Sequence, residues 1–435
     1  MSKFYIQTFG CRCNQADSAA MREDLRRQSM SECNNTSDAD LIVVNTCTVT
    51  HRSDQQIRQA IRRLHRNNPS ARIVVAGCYA ERAPDTLAAL PGVGLVIGNA
   101  SKEHLPEILE TCGHAAQGKI YRAPLESLST CPIQGMSQTG GKTRPLIKLQ
   151  DGCDARCSYC IVPKVRGPGR SAHPEHVLTE IRSLVKKGFQ EIVLTGVHLG
   201  TYGRKKEGYG RLVDLLQRII RIPGIGRIRL SSIEPMFFER AIVRLAAKSE
   251  VFAHHFHIPV QSGSDRILRR MRRPYRASRF RDLVYFIHDE IPDAGLGTDV
   301  LVGFPGETEE DFDETCELIR AAPLAYLHVF PFSPREGTEA FTLPDRIPAD
   351  TVKQRLNTLL EISQAKSLFF RRQFLCRILP AITLSNEEEQ GSSTVLTGNY
   401  IHAKVPAHSV PPNRLVNVCI EDVTRSGTFA RIIGP

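Results

Sequence analysis

Three cysteines, Cys153, Cys157 and Cys160, stand in the stretch DGCDARCSYCIVPKVRG with spacing C-x3-C-x2-C. Closely spaced thiolates of this kind bind metal, and their odd number is informative. Structural zinc takes four ligands, commonly supplied by paired C-x2-C units, and iron–sulfur clusters are likewise commonly held by four thiolates. Three thiolates in one loop suit a cubane cluster that keeps one iron free for a non-protein ligand. The competing reading is a zinc loop whose fourth ligand lies elsewhere. An apolar run, PLIKLQ, precedes the triplet and a basic turn rich in Gly and Pro follows it, which predicts a loop at a strand end.

A second set is scattered. Cys11, Cys47 and Cys78 each follow an apolar run, in TFGC, VNTC and AGC. Over residues 1–112, strand signals (FYIQTFG, DLIVVNT, ARIVVAG, GVGLVIG) alternate with helical ones, which predicts a small parallel α/β sheet. Ligand sites in such sheets form outside the carboxyl ends of the strands, so these three thiols are expected to converge at a second metal cluster. The bland alternative is that free cysteine is a small hydrophobe and sits at strand ends for packing. Cys13, two residues from Cys11, could compete with it as a ligand.

Further along, residues 113–143 are polar, carry the Gly140–Gly141 pair and read as a linker, with Cys112 and Cys131 near or in it as spectators. Alternation resumes over 144–370, where PLIKLQ, EIVLTG, RIRLSS, HFHIPV, LGTDVLVGF and AYLHVFPF give six strand–helix units. That number fits a partial (β/α)6 barrel with its chemistry at the strand C-termini. Residues 371–435 read as short alternating strands of a small all-β barrel, a module that often binds nucleic acid. The expected fold class is therefore α/β with a C-terminal all-β barrel.

The chain has 435 residues, 41% apolar and 24% charged, as expected of a soluble protein with several domains. No run approaches the length of a membrane span, and the N-terminus lacks a signal-peptide profile, so no membrane partner and a cytoplasmic location are expected. Thirteen cysteines in such a chain point to metal or redox chemistry rather than disulfides. A net charge of +11 suggests a polyanionic partner. Arginine is dense in two runs, Arg52, Arg58, Arg62, Arg63 and Arg66, and Arg266, Arg269, Arg270, Arg272, Arg273, Arg276, Arg279 and Arg281. Each run alone is explained equally well as a solvated helix face; together they favour RNA phosphates. Aromatics are few and Trp is absent, so no base-stacking platform is visible by composition.

The C-x3-C-x2-C triplet, with Tyr159 before its last cysteine, resembles the signature of the radical S-adenosylmethionine (SAM) superfamily. Together with GCRCNQADS, NTCTVTHRS and GCYAE upstream and the β module downstream, it resembles the methylthiotransferase family of radical SAM enzymes over essentially the whole chain. The resemblance implies a methylthiotransferase domain over 1–112, a radical SAM core over 144–370 and an RNA-gripping TRAM-like domain over 371–435. It implies two [4Fe-4S] clusters, one on Cys153, Cys157 and Cys160 that binds SAM and an auxiliary one on Cys11, Cys47 and Cys78. Tyr159, Gly196, Glu234, Gln261 and Gly303 align with positions around SAM. NTCTVT, TGVHLGTYG, HIPVQSGSDRILRRMRR, TDVLVGFPGET and LHVFPFSPREGT resemble the branch acting on N6-threonylcarbamoyladenosine next to the tRNA anticodon. Sister branches act on isopentenyladenosine in tRNA or on an aspartate of a ribosomal protein. One SAM would donate the methyl group and a second would be reduced to a radical source. A low-potential electron donor such as flavodoxin or ferredoxin, and a monomeric enzyme, are the remaining implications. A reading from a different class is a non-enzymatic zinc protein that binds RNA.

Overall fold

Apolar runs rich in Val and Ile build the first sheet of the computed structural model, which describes residues 2–112, 117–133, 143–385, 392–406 and 410–434. These residues divide into two units, one within 1–140, 146–176 and 333–341, the other within 141–145, 177–332 and 342–435.

In the first unit the chain runs β1 (Lys3–Thr8), α1 (Arg12–Arg27), β2 (Ser31–Glu32), β3 (Leu41–Thr46), α2 (His51–Asn67), β4 (Arg72–Gly77), α3 (Cys78–Arg82), β5 (Val93–Ile97) and β6 (Lys119–Tyr121). The six strands form one sheet in the order β2-β1-β3-β4-β5-β6, parallel throughout. Every residue of β3 and β5 is buried, as a parallel strand covered on both faces requires. Period-two alternation sorts their side chains. Ile42, Val44, Ile73 and Val75 meet Ile57, Ile61 and Leu64 of α2, whereas Val43, Val74 and Leu95 meet Met21 and Leu25 of α1. The four strands expected from the sequence all form. The short edge strands β2 and β6 lacked a readable signal, and β6 falls in the stretch read as linker; the Gly140–Gly141 pair lies outside the described residues.

The same unit holds β7 (Leu146–Asp151) and β8 (Arg170–Ser171), which pair antiparallel. It also takes in Ser333–Phe341. There Arg335 donates to Asp54 at 2.6 Å and the Ala340 amide donates to the Ser158 carbonyl at 2.7 Å.

The second unit carries β9 (Glu191–Gly196) parallel to β10 (Arg227–Leu230), and β11 (His255–His257), β12 (Gly295–Val302) and β13 (Tyr326–Pro331), also parallel. With β7 these are the six strands expected over 144–370. The run HFHIPV is strand only over its first three residues, and the chain turns at Gln261 with φ +69°. After a long helix, Ala349–Arg372, come β14 (Ile378–Thr383), β15 (Ser392–Thr397), β16 (His402–Pro406), β17 (Leu415–Val423) and β18 (Thr428–Gly434). They close into a five-stranded barrel, β14-β15-β16-β18-β17, around Ala381, Val395, Ala403, Val405, Val418, Ile420 and Ala430. Closure leaves no unpaired sheet edge. Among the described residues no helix is long and apolar enough to cross a membrane.

Candidate active site

Three adjacent parallel strands bring the scattered cysteines to one sheet edge. Cys11 follows β1 and precedes the first residue of α1, Cys47 follows β3, and Cys78 opens α3 directly after β4. Gly10 is required for this approach. Its φ is +102°, and a Cβ there would sit 2.4 Å from the Cys47 Cβ and 2.8 Å from its Sγ. Asn14 fastens the arrangement, donating to the Phe9 carbonyl at 2.8 Å and the Thr46 carbonyl at 2.9 Å. Asn99 Nδ2 lies 3.7 Å from the Cys78 Sγ.

The thiols differ in acidity. Cys11 is held down to about 5, first by the adjacent Cys13 thiol, then by the nearby Arg166 guanidinium. The same contact pushes Cys13 well up, and burial adds to it. Burial raises Cys47 to about 12, with the Cys78 sulfur as the next cause. Cys13 is thus buried inside α1, with its thiol beside that of Cys11.

The triplet lies on the loop between β7 and the helix Val162–Arg166. Gly152 opens that loop with φ +69°, and a Cβ there would meet the Pro168 carbonyl oxygen at 2.0 Å. The Cys153 amide donates to the Gly167 carbonyl at 3.0 Å, and the Cys160 amide closes a turn on the Cys157 carbonyl at 3.1 Å. Cys153, Cys157, Tyr159 and Cys160 are all half-buried. Cys78 packs against Ile161 and Val165, just beyond Cys160. All six cysteines therefore belong to one unit. Among the described residues no three cysteine sulfurs come within 4.8 Å of one another, the crowding that a single ion demands.

Behind the thiols lies an ionic network that sequence reasoning missed. Asp17 meets Lys102 at 2.5 Å, Lys148 at 2.5 Å and Arg166 at 2.9 Å; Asp151 meets Lys148 at 2.8 Å, Arg166 at 2.8 Å and Arg170 at 3.2 Å. All six side chains are buried. Burial opposes both charges of such pairs, yet the basic partners hold Asp151 well below the usual carboxylate range, and the two aspartates hold Lys148 up. Four cations face two carboxylates, and the excess positive charge lies toward the cysteines: Arg166 interacts with Cys78 and Cys11 and bonds the Asn14 side-chain oxygen. The signal in the sequence was Lys148, a charge between the apolar residues Ile147 and Leu149 of β7.

The other expected contacts lie in the second unit, each at or beyond the C-terminal end of a strand. Gly196 ends β9. Glu234, after β10, pairs with Arg273 at 2.7 Å and does not cap the short helix it precedes. Gln261 follows β11, and its amide donates to the Asp299 carbonyl at 2.9 Å. Gly303, after β12, has φ +74° and donates its amide to Glu307 at 2.8 Å.

The arginine runs divide. Arg273 is buried on Glu234 and Arg266 pairs with Asp311, so both serve the fold. Arg269, Arg272, Arg276, Arg279 and Arg281 are exposed, as are Arg52, Arg62, Arg63 and Arg66 along α2. A string of rings also appears that composition did not reveal. Tyr400 stacks on His255 at 4.0 Å, His255 on Tyr326 at 6.0 Å, and Tyr326, His328 and Phe330 continue along β13 to an exposed end, while Arg229 lies 5.2 Å over Tyr400.

Residues 3–98 match the family model described as "Uncharacterized protein family UPF0004", and residues 147–319 match the radical SAM superfamily. The chain is 38% identical over 409 residues to the threonylcarbamoyladenosine tRNA methylthiotransferase MtaB of Aquifex aeolicus, covering 92% of this chain and 96% of that one. It is 34% identical over 445 residues to the protein of the same name in Bacillus subtilis, covering 100% of this chain and 97% of that one. The tRNA-2-methylthio-N(6)-dimethylallyladenosine synthase of Frankia alni is 33% identical over 395 residues, covering 90% of this chain and 79% of that one. Among solved structures, the radical SAM methyltransferase TsrM of Kitasatospora setae shares the fold with a TM-score of 0.57 at 15% identity, covering 78% of this chain and 77% of that one. With two cysteine sets in one unit, the radical SAM core and relatives aligned over nearly its full length, the chain belongs to the methylthiotransferase family of radical SAM enzymes.

Proposed function

We propose that this enzyme places a 2-methylthio group on C2 of N6-threonylcarbamoyladenosine beside the tRNA anticodon. The observation that carries the reading is full-length similarity to two proteins named for that reaction. We assign Cys153, Cys157 and Cys160 to one [4Fe-4S] cluster that binds SAM, and Cys11, Cys47 and Cys78 to a second. The donor sets fit: each offers three thiols, their spacing exceeds what one zinc ion demands, and the buried excess of positive charge suits an anionic cluster. Bound there, the clusters and SAM supply the one-electron chemistry that an unactivated adenine C–H bond requires.

The chain's own residues position these groups. Arg166 and Lys148 set positive charge behind the thiolates, and the Cys13 thiol stands beside Cys11. Tyr159, Gly196, Glu234, Gln261 and Gly303 are assigned to SAM. Exposed arginines would meet tRNA phosphates, and the rings from Tyr400 to Phe330 suit bases splayed from an anticodon loop. We assign the segments 1–112, 144–370 and 371–435 to sulfur delivery, radical generation and RNA binding, in a cytoplasmic monomer served by a low-potential electron donor.

The test is nucleoside mass analysis of tRNA from a deletion strain. Loss of the methylthiolated nucleoside with accumulation of N6-threonylcarbamoyladenosine is expected; unchanged nucleosides would sink the assignment. With purified enzyme, Cys157→Ala is expected to abolish SAM cleavage, and Cys47→Ala to keep cleavage while losing the methylthiolated product.

A further inference from the structure

One face of the β11–β12–β13 sheet carries a cluster whose ligand atoms the proposed reaction does not use; of its residues only the His328 ring belongs to the series assigned above to bases. Period-two alternation puts Gly297 and Asp299 of β12 on one face, and Tyr326, His328 and Phe330 of β13 likewise. Register places His257 beside Gly297 and Asp299 beside His328. Gly297 has no side chain, and the Tyr326 ring fills its place: a Cβ there would sit 2.2 Å from the ring. His257 thereby reaches across to Asp299, with Nε2 at 3.1 Å from Oδ1, and His328 Nδ1 lies 3.1 Å from the same oxygen. The three ligand atoms lie within 4.8 Å of one another, and among the described residues no other His, Cys, Asp or Glu cluster does so.

Two features separate this cluster from a plain hydrogen-bonded triad. The His257 side chain is 8% exposed and its buried Nε2, 3.1 Å from Asp299 Oδ1, has no well-formed hydrogen-bond partner. A buried imidazole nitrogen left in this way is costly unless something else meets its lone pair. Its other nitrogen, Nδ1, is 2.8 Å from the Ser232 hydroxyl. If Nδ1 carries the proton, Nε2 presents its lone pair toward Asp299, the outer-shell orientation usual for a metal-bound histidine. The spacing also suits a shared ion. Two ligands about 2.1 Å from one cation lie roughly 3.0–3.4 Å from each other at octahedral to tetrahedral angles.

We infer that His257, Asp299 and His328 form a binding site for a first-row divalent cation. Two imidazoles and one carboxylate on one side of the ion leave the remaining positions for water or an oxygen ligand. Access is from the His328 side, where that side chain is 54% exposed. The site is independent of the six cysteines and needs no assumption about the RNA substrate.

Cluster-loaded enzyme would be titrated with Mn(II), read by loss of its six-line EPR signal, and with Zn(II), read by calorimetry. Wild type is expected to bind one more cation per chain than Asp299→Asn. His328→Ala, at an exposed position that spares the core, is expected to weaken that binding at least tenfold. Ser232→Ala, which leaves all three ligands in place, is expected to weaken it about 10- to 100-fold; a purely hydrogen-bonded triad would show no such effect. The inference is overturned if neither metal binds wild type, or if wild type and His328→Ala bind both metals equally.

Discussion

Arg166 bonds both aspartates of the buried network and the Asn14 side chain of α1, the helix that follows Cys11. Removing one partner of a buried ionic network leaves the others uncompensated, at about 3–5 kcal/mol. Arg166→Met is therefore expected to lower the stability of the cluster-free protein by about that amount in urea unfolding, and Arg166→Lys by less. A second expectation concerns Cys11. Its thiol is held near 5 mainly by the adjacent Cys13 thiol, so in cluster-free protein it should alkylate as a thiolate above about pH 5. Cys13→Ala should move that midpoint upward by about one pH unit or more, read by mass spectrometry of the Cys11 peptide. The two cysteine sets were legible because thiols closely spaced in one loop, or placed after successive strands, form a pattern. Arg166 and Asp17 were not, because a charged residue in a polar string looks the same whether it faces solvent or a buried partner.

Elements hold these residues where they are through a few tight approaches. Gly152 is one: its positive φ and the 2.0 Å gap from its notional Cβ to the Pro168 carbonyl leave no room for a side chain. Gly152→Ala is expected to cost about 1–3 kcal/mol and to reduce iron incorporation at the loop, measured by iron and sulfide content. Glu191 on β9 is another fixed point, buried against Arg229 at 2.9 Å and Arg144 at 3.2 Å. Burial opposes its charge, but those arginines hold its carboxyl down to about 2. A depressed carboxylate pKa stabilises the fold at pH values above the unfolded value of about 4.3. That contribution, about 3 kcal/mol, is lost as pH falls from there through about 2. Acid titration of the unfolding free energy should show this loss and Glu191→Gln should lack it. Strand positions were readable from apolar runs, whereas β2 and β6 were too short for any period to register.

Across the whole chain the formal charge is +11, and part of its arginine is committed internally. Arg62, Arg63 and Arg66 on α2 remain exposed. Replacing all three by Gln is expected to lower the slope of log affinity for tRNA against log salt by about 2, since each phosphate contact contributes roughly 0.7–0.9; filter binding over a salt series measures it. The ring series from Tyr400 to Phe330 could not be read from composition. His255, Tyr400 and the β13 rings Tyr326 and His328 come from three distant stretches of sequence, and only the pairing of β11, β12 and β13, with Tyr400 stacked on His255, lines them up. By itself the sequence determined the family, the alternation of strands and helices and both cysteine sets, because these rest on local spacing and on period. Tertiary structure alone decided which arginines pair inward, which charges stand behind the thiols and that His257, Asp299 and His328 meet. Each of those depends on strand order and register, which bring together side chains that no local pattern links.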